Sequence, residues 1–478
     1  MSRTYDRRKF LQTSAVIGAG VLSAGYPAHM VGAAVDKSQI AEGPLIRDVM
    51  KQIEAGSAAH LRPQIRAEIL ENPKAVFIIR TSVRADKDSK GSYDSAGPQI
   101  EETGYTVAKT IFEKGNKRGG KTTFNPNWTY IPPDNRYPTI GITTAPQFVA
   151  GFHNGLKELG STNNVVSERS AGANFLKDAG HIDIVSEQGL PFIDAKYGHY
   201  DQYEKDELNW FKIKDGVVWK RVAVFRPHFD DDAFTINMPT LKCHNLGLTT
   251  LSIKNMQGFI PTGYGHYCDQ WHQMYTIRPE MKKDINENFW QNVEKKFLEH
   301  SAQGWEYWDV EGAYPAYRKA GGWDKFKDVR KDRKRADEFM KENNIQNLMW
   351  DEQWGQRTID TLSALKPDLN IVEGVIARDG DAFGYGTDYL TNYVIIGLDL
   401  VAVDTVASYV MGHNPENLYY LKIAKERGYG PISMNEIPLY VLEGKSVKRL
   451  ENYRTLDRFS LAVDLHSRHR MDEAMRIF

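Results

Sequence analysis

Residues 143–160, TTAPQFVAGFHNGLKELG, constrain the fold more than any other stretch, because they read as a helix set between two strands. Thr143 or Thr144 can cap it and Pro146 suits its first turn, while Phe148, Val149, Phe152, Leu156 and Leu159 form an apolar stripe that stops at Gly160. Before it lies AVFIIR, residues 75–80, and after it NNVVSE, residues 163–168, both short β-branched runs. Strand, helix and strand in that order predict a parallel α/β unit. ANFLKDAG and HIDIV repeat helix then strand, and VVWKRVAVF, AFTINMPTL, LNIVEGVI, YVIIGL and IPLYVLEG read as further strands. Residues 45–70 read as a helical segment. The expected class is α/β, a mostly parallel sheet with helices on both faces.

A chain of 478 residues with 41% hydrophobic content can bury the cores of one large or two medium domains. A formal net charge of -1 speaks against a nucleic-acid footprint, which leaves small-molecule or protein partners. At the N-terminus a basic region with Arg7 and Arg8 precedes an apolar run from about Phe10 to Leu22, too short for a membrane span. Arg-Arg-Lys-Phe-Leu resembles a twin-arginine export signal, which is an address and not an anchor. Residues 1–34 are therefore expected to be that signal, with the export machinery as a partner, a periplasmic or otherwise exported location and no stable membrane anchor. Such substrates cross the membrane folded, so a cofactor can be inserted first. The two cysteines, Cys243 and Cys268, are too few for an iron–sulfur cluster held by four thiolates, and a disulfide between them stays open.

Seven of the ten tryptophans (Trp271, Trp290, Trp305, Trp308, Trp323, Trp350 and Trp354) fall between residues 264 and 367. That composition marks a Trp-rich helical insertion or lid, and its charged run KFKDVRKDRKRADEFMKENN reads most simply as a solvated helix face. The expected organisation is a signal at 1–34, a discontinuous α/β domain at 35–263 and 368–444, the insertion at 264–367 and a C-terminal tail at 445–478.

The chemistry-bearing residues concentrate in INMPTLKCHNLGLTTLSIKNMQGFIP, residues 236–261. If residues 234–241 are a strand, Lys242 and His244 lie just past its carboxyl end, where an open α/β sheet binds ligands. Lys254 and Asn255 follow one loop later, with hydroxyls from Thr249 and Thr250. Two cations, an amide and hydroxyls fit a carboxylate or phosphate pocket, and a lysine or histidine there can move a proton. The bland alternative is a solvated Lys242 and a His244 that only finishes a turn.

This stretch resembles the signature of the domain-of-unknown-function 362 family, approximately Pro-x-x-Lys-x-His, then Thr, then Leu-Lys-Asn-x-x-Gly. The matching positions are Pro239, Lys242, His244, Thr249 or Thr250, Lys254, Asn255 and Gly258. A second match runs from LNIVEGVI through a Gly-rich loop to GLDLVAVD, where the family carries Ile-Val-Asp-Gly and Gly-x-Asp-x-x-Ala-x-Asp. Glu373 replaces the family's Asp, the ferredoxin-like cysteine clusters of some relatives are missing, and the Trp-rich segment has no counterpart in the pattern. The resemblance implies a fold and a site; it carries no assigned reaction.

Among the acids, Asp399 can cap the helix that starts near Val401. Asp404 shares an apolar helix face with Val401 and Ala407, so it should be buried with a partner, a lysine or a metal, or face a cleft. Glu373 and Asp379 can complete an acidic cluster with both, open to a divalent metal. In GYGHYCDQWHQMY, His266, Cys268, Asp269 and His272 have no standard metal spacing, so metal binding, stacking of a sugar-like or planar ligand on its three tyrosines and Trp271, and plain packing all stay open. Nucleotide-binding, Gly-x-Ser-x-Gly and His-Glu-x-x-His signatures are absent. The leading expectation is an enzyme acting on a small anionic or hydroxylated, sugar-like molecule through Lys242, His244 and Lys254, with Asn255, Thr250, His266 and Trp271 binding substrate. The alternatives are a non-catalytic accessory protein for a metal, cofactor or small ligand, and a structural surface protein.

Overall fold

The computed structural model describes residues 62–116, 120–128, 140–168, 173–195, 203–204, 206–244, 247–261, 284–286, 354–380 and 386–462. The chain first forms β1 (Gln64–Ile65), α1 (Ala67–Leu70), β2 (Val76–Arg80), α2 (Gly97–Ile111), β3 (Phe112–Lys114) and β4 (Lys121–Pro126). Then come α3 (Pro146–Glu158), β5 (Asn164–Glu168), α4 (Ala173–Asp178), α5 (His181–Glu187), β6 (Phe192–Asp194), β7 (Leu208–Lys212) and β8 (Arg221–Phe225). The central strands β9 (Ala233–Met238), β10 (Thr240–His244) and β11 (Leu248–Thr249) lead into the short helix α6 (Ser252–Asn255). The last part holds β12 (Leu369–Arg378), β13 (Asp388–Gly397), α7 (Leu400–Val410), α8 (Tyr419–Glu426), β14 (Leu439–Glu443) and β15 (Ser446–Arg449).

Among the described residues eleven strands form one mixed, mostly parallel sheet, ordered β15-β14-β2-β13-β12-β9-β4-β5-β6, with β10 beside β12 and β11 beside β10. Strands β12, β9, β4, β5 and β6 run parallel, and β13 is antiparallel to both of its neighbours. Side chains alternate across a strand, and β12 shows the result. Leu369, Ile371 and Val375 pack with Phe148 and Phe152 of α3, whereas Val372 packs with Val403, Val406 and Val410 of α7.

Helix α3 forms as its apolar stripe predicts, but neither threonine caps it. Its N-cap residue is Ala145, and the Thr144 hydroxyl donates to the Met238 carbonyl at 2.5 Å. HIDIV is helix α5, not a strand: His181 and Val185, one turn apart, are both buried, and Gly180 and Gly189 bound the helix in left-handed conformation. The strand follows as β6. In VVWKRVAVF only residues 221–225 extend, and they pair with β7 outside the main sheet. The preceding amides of Val217, Val218 and Trp219 donate instead to the Asp360 carboxylate at 2.7–2.9 Å. AFTINMPTL divides at Pro239, which cannot donate to a ladder; β9 pairs with β4 and the start of β12, and β10 continues along β12.

Of residues 45–70, those described begin at 62 and form β1 and α1. Most of 264–367 lies outside the described residues, but its end is part of the core. Trp354, Ile359, Leu362 and Leu365 pack with residues of β7, β8 and α8, the Trp354 ring meeting Tyr420 edge-on at 5.7 Å. Past Gly444, β15 pairs with β14, so the sheet extends into the segment expected to be tail. Among the described residues no helix is long and apolar enough to cross a membrane.

Candidate functional site

The polar residues of the central segment are built into the fold. Lys242 and His244 lie within β10, and Lys254 and Asn255 on α6, all four buried. Lys242 and His244 alternate with Leu241 and Cys243, which pack against residues of α7. The Lys242 ammonium therefore points away from α7 and donates to the Ile142 carbonyl, just ahead of α3. The His244 ring accepts the Gly247 amide through Nδ1 at 3.3 Å, and the Thr250 amide donates to the Lys242 carbonyl at 3.1 Å. Cys243 is a buried free thiol, its pKa raised by burial, with His413 Nε2 at 3.7 Å. His266, Cys268 and Trp271 lie outside the described residues.

The acids named above each hold main-chain amides. Glu373, register partner of Thr240 at the start of β10, accepts the Val375 amide at 2.9 Å and the Ala145 amide at the head of α3 at 3.4 Å. Burial pushes its carboxyl up to about 7, against the opposing pull of those amides. Asp404 accepts the amides of Ser252 at 2.7 Å and Ile253 at 3.0 Å, the first turn of α6, and burial pushes it up to about 7 as well. Asp399 caps α7 through Val401 and Ala402, and Asp379 accepts the Thr387 amide and the Tyr389 hydroxyl. Among the described residues no three His, Cys, Asp or Glu side chains converge on a metal position. The four carboxylates serve separate parts of the scaffold.

Local sequence reading missed a buried asparagine ladder beneath α6. Asn125, Asn237 and Asn370 stand in register on β4, β9 and β12. Asn125 Nδ2 lies 3.4 Å from Asn237 Oδ1, and Asn237 Nδ2 donates to Asn370 Oδ1 at 3.1 Å and to the Ser252 carbonyl at 2.9 Å. Asn255 docks on this row, donating to Asn237 Oδ1 at 2.8 Å and to the Asn125 carbonyl at 3.0 Å, and accepting from Asn127 at 3.0 Å. A signal existed: each of these three strands carries one asparagine, a residue depleted in strands. A second omission is the fully buried ion pair of Arg378 with Asp388, 2.7 Å apart, which also receives the Gly141 amide at 3.3 Å.

The geometry thus divides into two groups. Lys242 and Glu373 meet the segment before α3, and Lys254 and Asn255 ride on a helix clamped between Asp404 and the ladder. Comparison with curated proteins gave no match, and neither did comparison with solved structures. A family model described as Domain of unknown function (DUF362) matches residues 125–409, a span that starts at the first ladder asparagine and takes in both groups. Because that match covers more than half of the chain, the protein belongs to the DUF362 family.

Proposed function

We propose that the protein is an exported enzyme acting on a small anionic or hydroxylated, sugar-like molecule. The observation that carries this reading is the clamping of α6. A helix of four residues cannot be stable by itself, yet buried side chains grip it from two directions and set Lys254 and Asn255 in place. Catalysis needs such preorganised positions. In this reading Lys254 and Asn255 hold an anionic or hydroxyl group of the substrate, with Thr250, His266 and Trp271 completing the binding surface, and Lys242 and His244 move a proton. Glu373, poised near neutrality, is the third proton-transfer candidate. Helices on both faces of the sheet and a Trp-rich helical insertion over it belong to the same proposal, supported by the separate α3 and α7 clusters and by the tryptophan count. So do export through residues 1–34 and a periplasmic location, supported by Arg7 and Arg8 ahead of a short apolar run.

Calorimetry and turnover assays on the full chain against sugars, phosphates and carboxylates test the reading, with Lys242→Ala, His244→Ala and Lys254→Ala alongside. The expected result is a ligand from one class whose binding or turnover falls at least about tenfold in each folded variant. Folded variants that match the parent remove these residues from the mechanism. Binding without turnover favours the accessory-protein reading.

A further inference from the structure

The last carbonyls of a helix have no partner inside it, and those at the end of α7 are met by a strap from the C-terminal side, residues 457–462. Arg458 donates to the carbonyls of Tyr409 at 3.3 Å, Gly412 at 2.7 Å and His413 at 3.3 Å. The amides of Phe459 and Leu461 donate to the carbonyls of Val410 at 2.8 Å and Met411 at 3.1 Å. Residues 409–413 thus present five consecutive carbonyls, and each accepts from the strap.

The same strap reaches two further places. The Ala462 carbonyl accepts the Gly380 amide at 2.8 Å, where the glycine-rich loop leaves β12. The Leu461 carbonyl faces the Cys243 thiol of β10 at 3.5 Å, and Cys243 is fully buried. Yet the strap itself is weakly anchored. Asp457, Arg458, Ser460 and Ala462 are exposed, Phe459 is half-buried, and Leu461 is the one buried side chain of the six. Among the described residues it pairs with no strand. A segment held by exposed hydrogen bonds and a single apolar anchor opens before the sheet beneath it does.

We propose that residues 457–462 are a latch that detaches as a unit from the otherwise folded protein, uncovering the Cys243 thiol, freeing Gly380 and releasing the end of α7. The latch uses none of the residues proposed to meet a substrate. Gly412 offers a way to push it. Its φ is +100°, and a Cβ built on it would lie 2.1 Å from the Phe459 carbonyl oxygen. Gly160 has nearly the same backbone, φ +98°, with open space where a Cβ would stand. Alanine at Gly160 therefore carries the left-handed strain without touching the latch.

The test is the rate at which dithiobis(nitrobenzoate) labels the folded full chain carrying Cys268→Ser, a change that leaves Cys243 as its one thiol. Arg458→Ala, which removes three of the latch's hydrogen bonds, and Gly412→Ala, which displaces Phe459, should each speed labelling at least about tenfold over that parent. Gly160→Ala should stay within about twofold of it. In urea below the unfolding transition, labelling should rise less steeply than global unfolding, because a latch exposes little surface. A parental rate in folded Arg458→Ala would overturn the proposal, and this variant decides the matter if Gly412→Ala does not fold. Equal acceleration in Gly160→Ala and Gly412→Ala, or labelling with the urea dependence of global unfolding, would overturn it as well.

Discussion

The Asp404 carboxylate on α7 accepts the Ser252 amide at 2.7 Å, and through that bond one buried acid sets the position of the helix that carries Lys254 and Asn255. Asp404→Ala leaves two amides without an acceptor in a closed interior. It should cost roughly 3 kcal/mol, measured by urea unfolding, and should abolish ligand binding that depends on Lys254. A folded Asp404→Ala with parental stability would show that α6 is held by the ladder alone.

The pH dependence of Glu373 and Asp404 has a definite sign. Burial raises each to about 7, so the folded protein keeps protons that the unfolded chain loses near pH 4. The stability this contributes is complete below the unfolded pKa and is lost as pH rises through about 7. His153, His181, His228 and His413, which burial lowers to about 4, act in the opposite direction, gaining stability as pH rises from about 4 to about 6.5. A difference measurement isolates the acid. The stability of the parent minus that of Asp404→Asn should be greatest at or below about pH 4 and shrink steadily toward about pH 8; a pH-independent difference contradicts the assignment.

Helices α2 and α3 are joined at closest approach by glycines. A Cβ on Gly151 would collide with the Glu101 carbonyl, and one on Gly104 with the Phe148 carbonyl. Gly151→Ala, ordinarily a helix-favouring change, should instead destabilise by about 1–3 kcal/mol in denaturant unfolding, because main chain cannot move aside as a side-chain tip does. Gly428→Ala has open space around its Cβ, so its cost should reflect only the left-handed backbone.

Ion pairs at two depths should behave differently. Arg378→Met strands Asp388 in the interior and should cost roughly 3–5 kcal/mol by urea unfolding. Lys448→Met breaks the exposed pair with Glu443, 2.6 Å long, and should leave the unfolding midpoint unchanged within error. Equal effects would mean that Arg378 is not confined as its burial implies.

Local pattern carried much of the fold. The stripe from Phe148 to Leu156 is α3, the runs at β2, β5, β9 and β12 are strands, and Asp399 caps α7, because each depends on neighbours within a few positions along the chain. HIDIV was misread for the same reason, since five residues of mixed polarity fit both periods and only packing of His181 and Val185 chooses between them.

By itself, then, the sequence determined which segments extend, which coil and where the chemistry-bearing residues concentrate. The tertiary structure decided what those residues touch. Lys242 found a carbonyl of the segment before α3, Asp404 found the first amides of α6, and Asn125, Asn237 and Asn370 became one row. Parallel strands are joined by long crossovers, so their lateral register is set by packing across the whole sheet, and no short window of residues contains it.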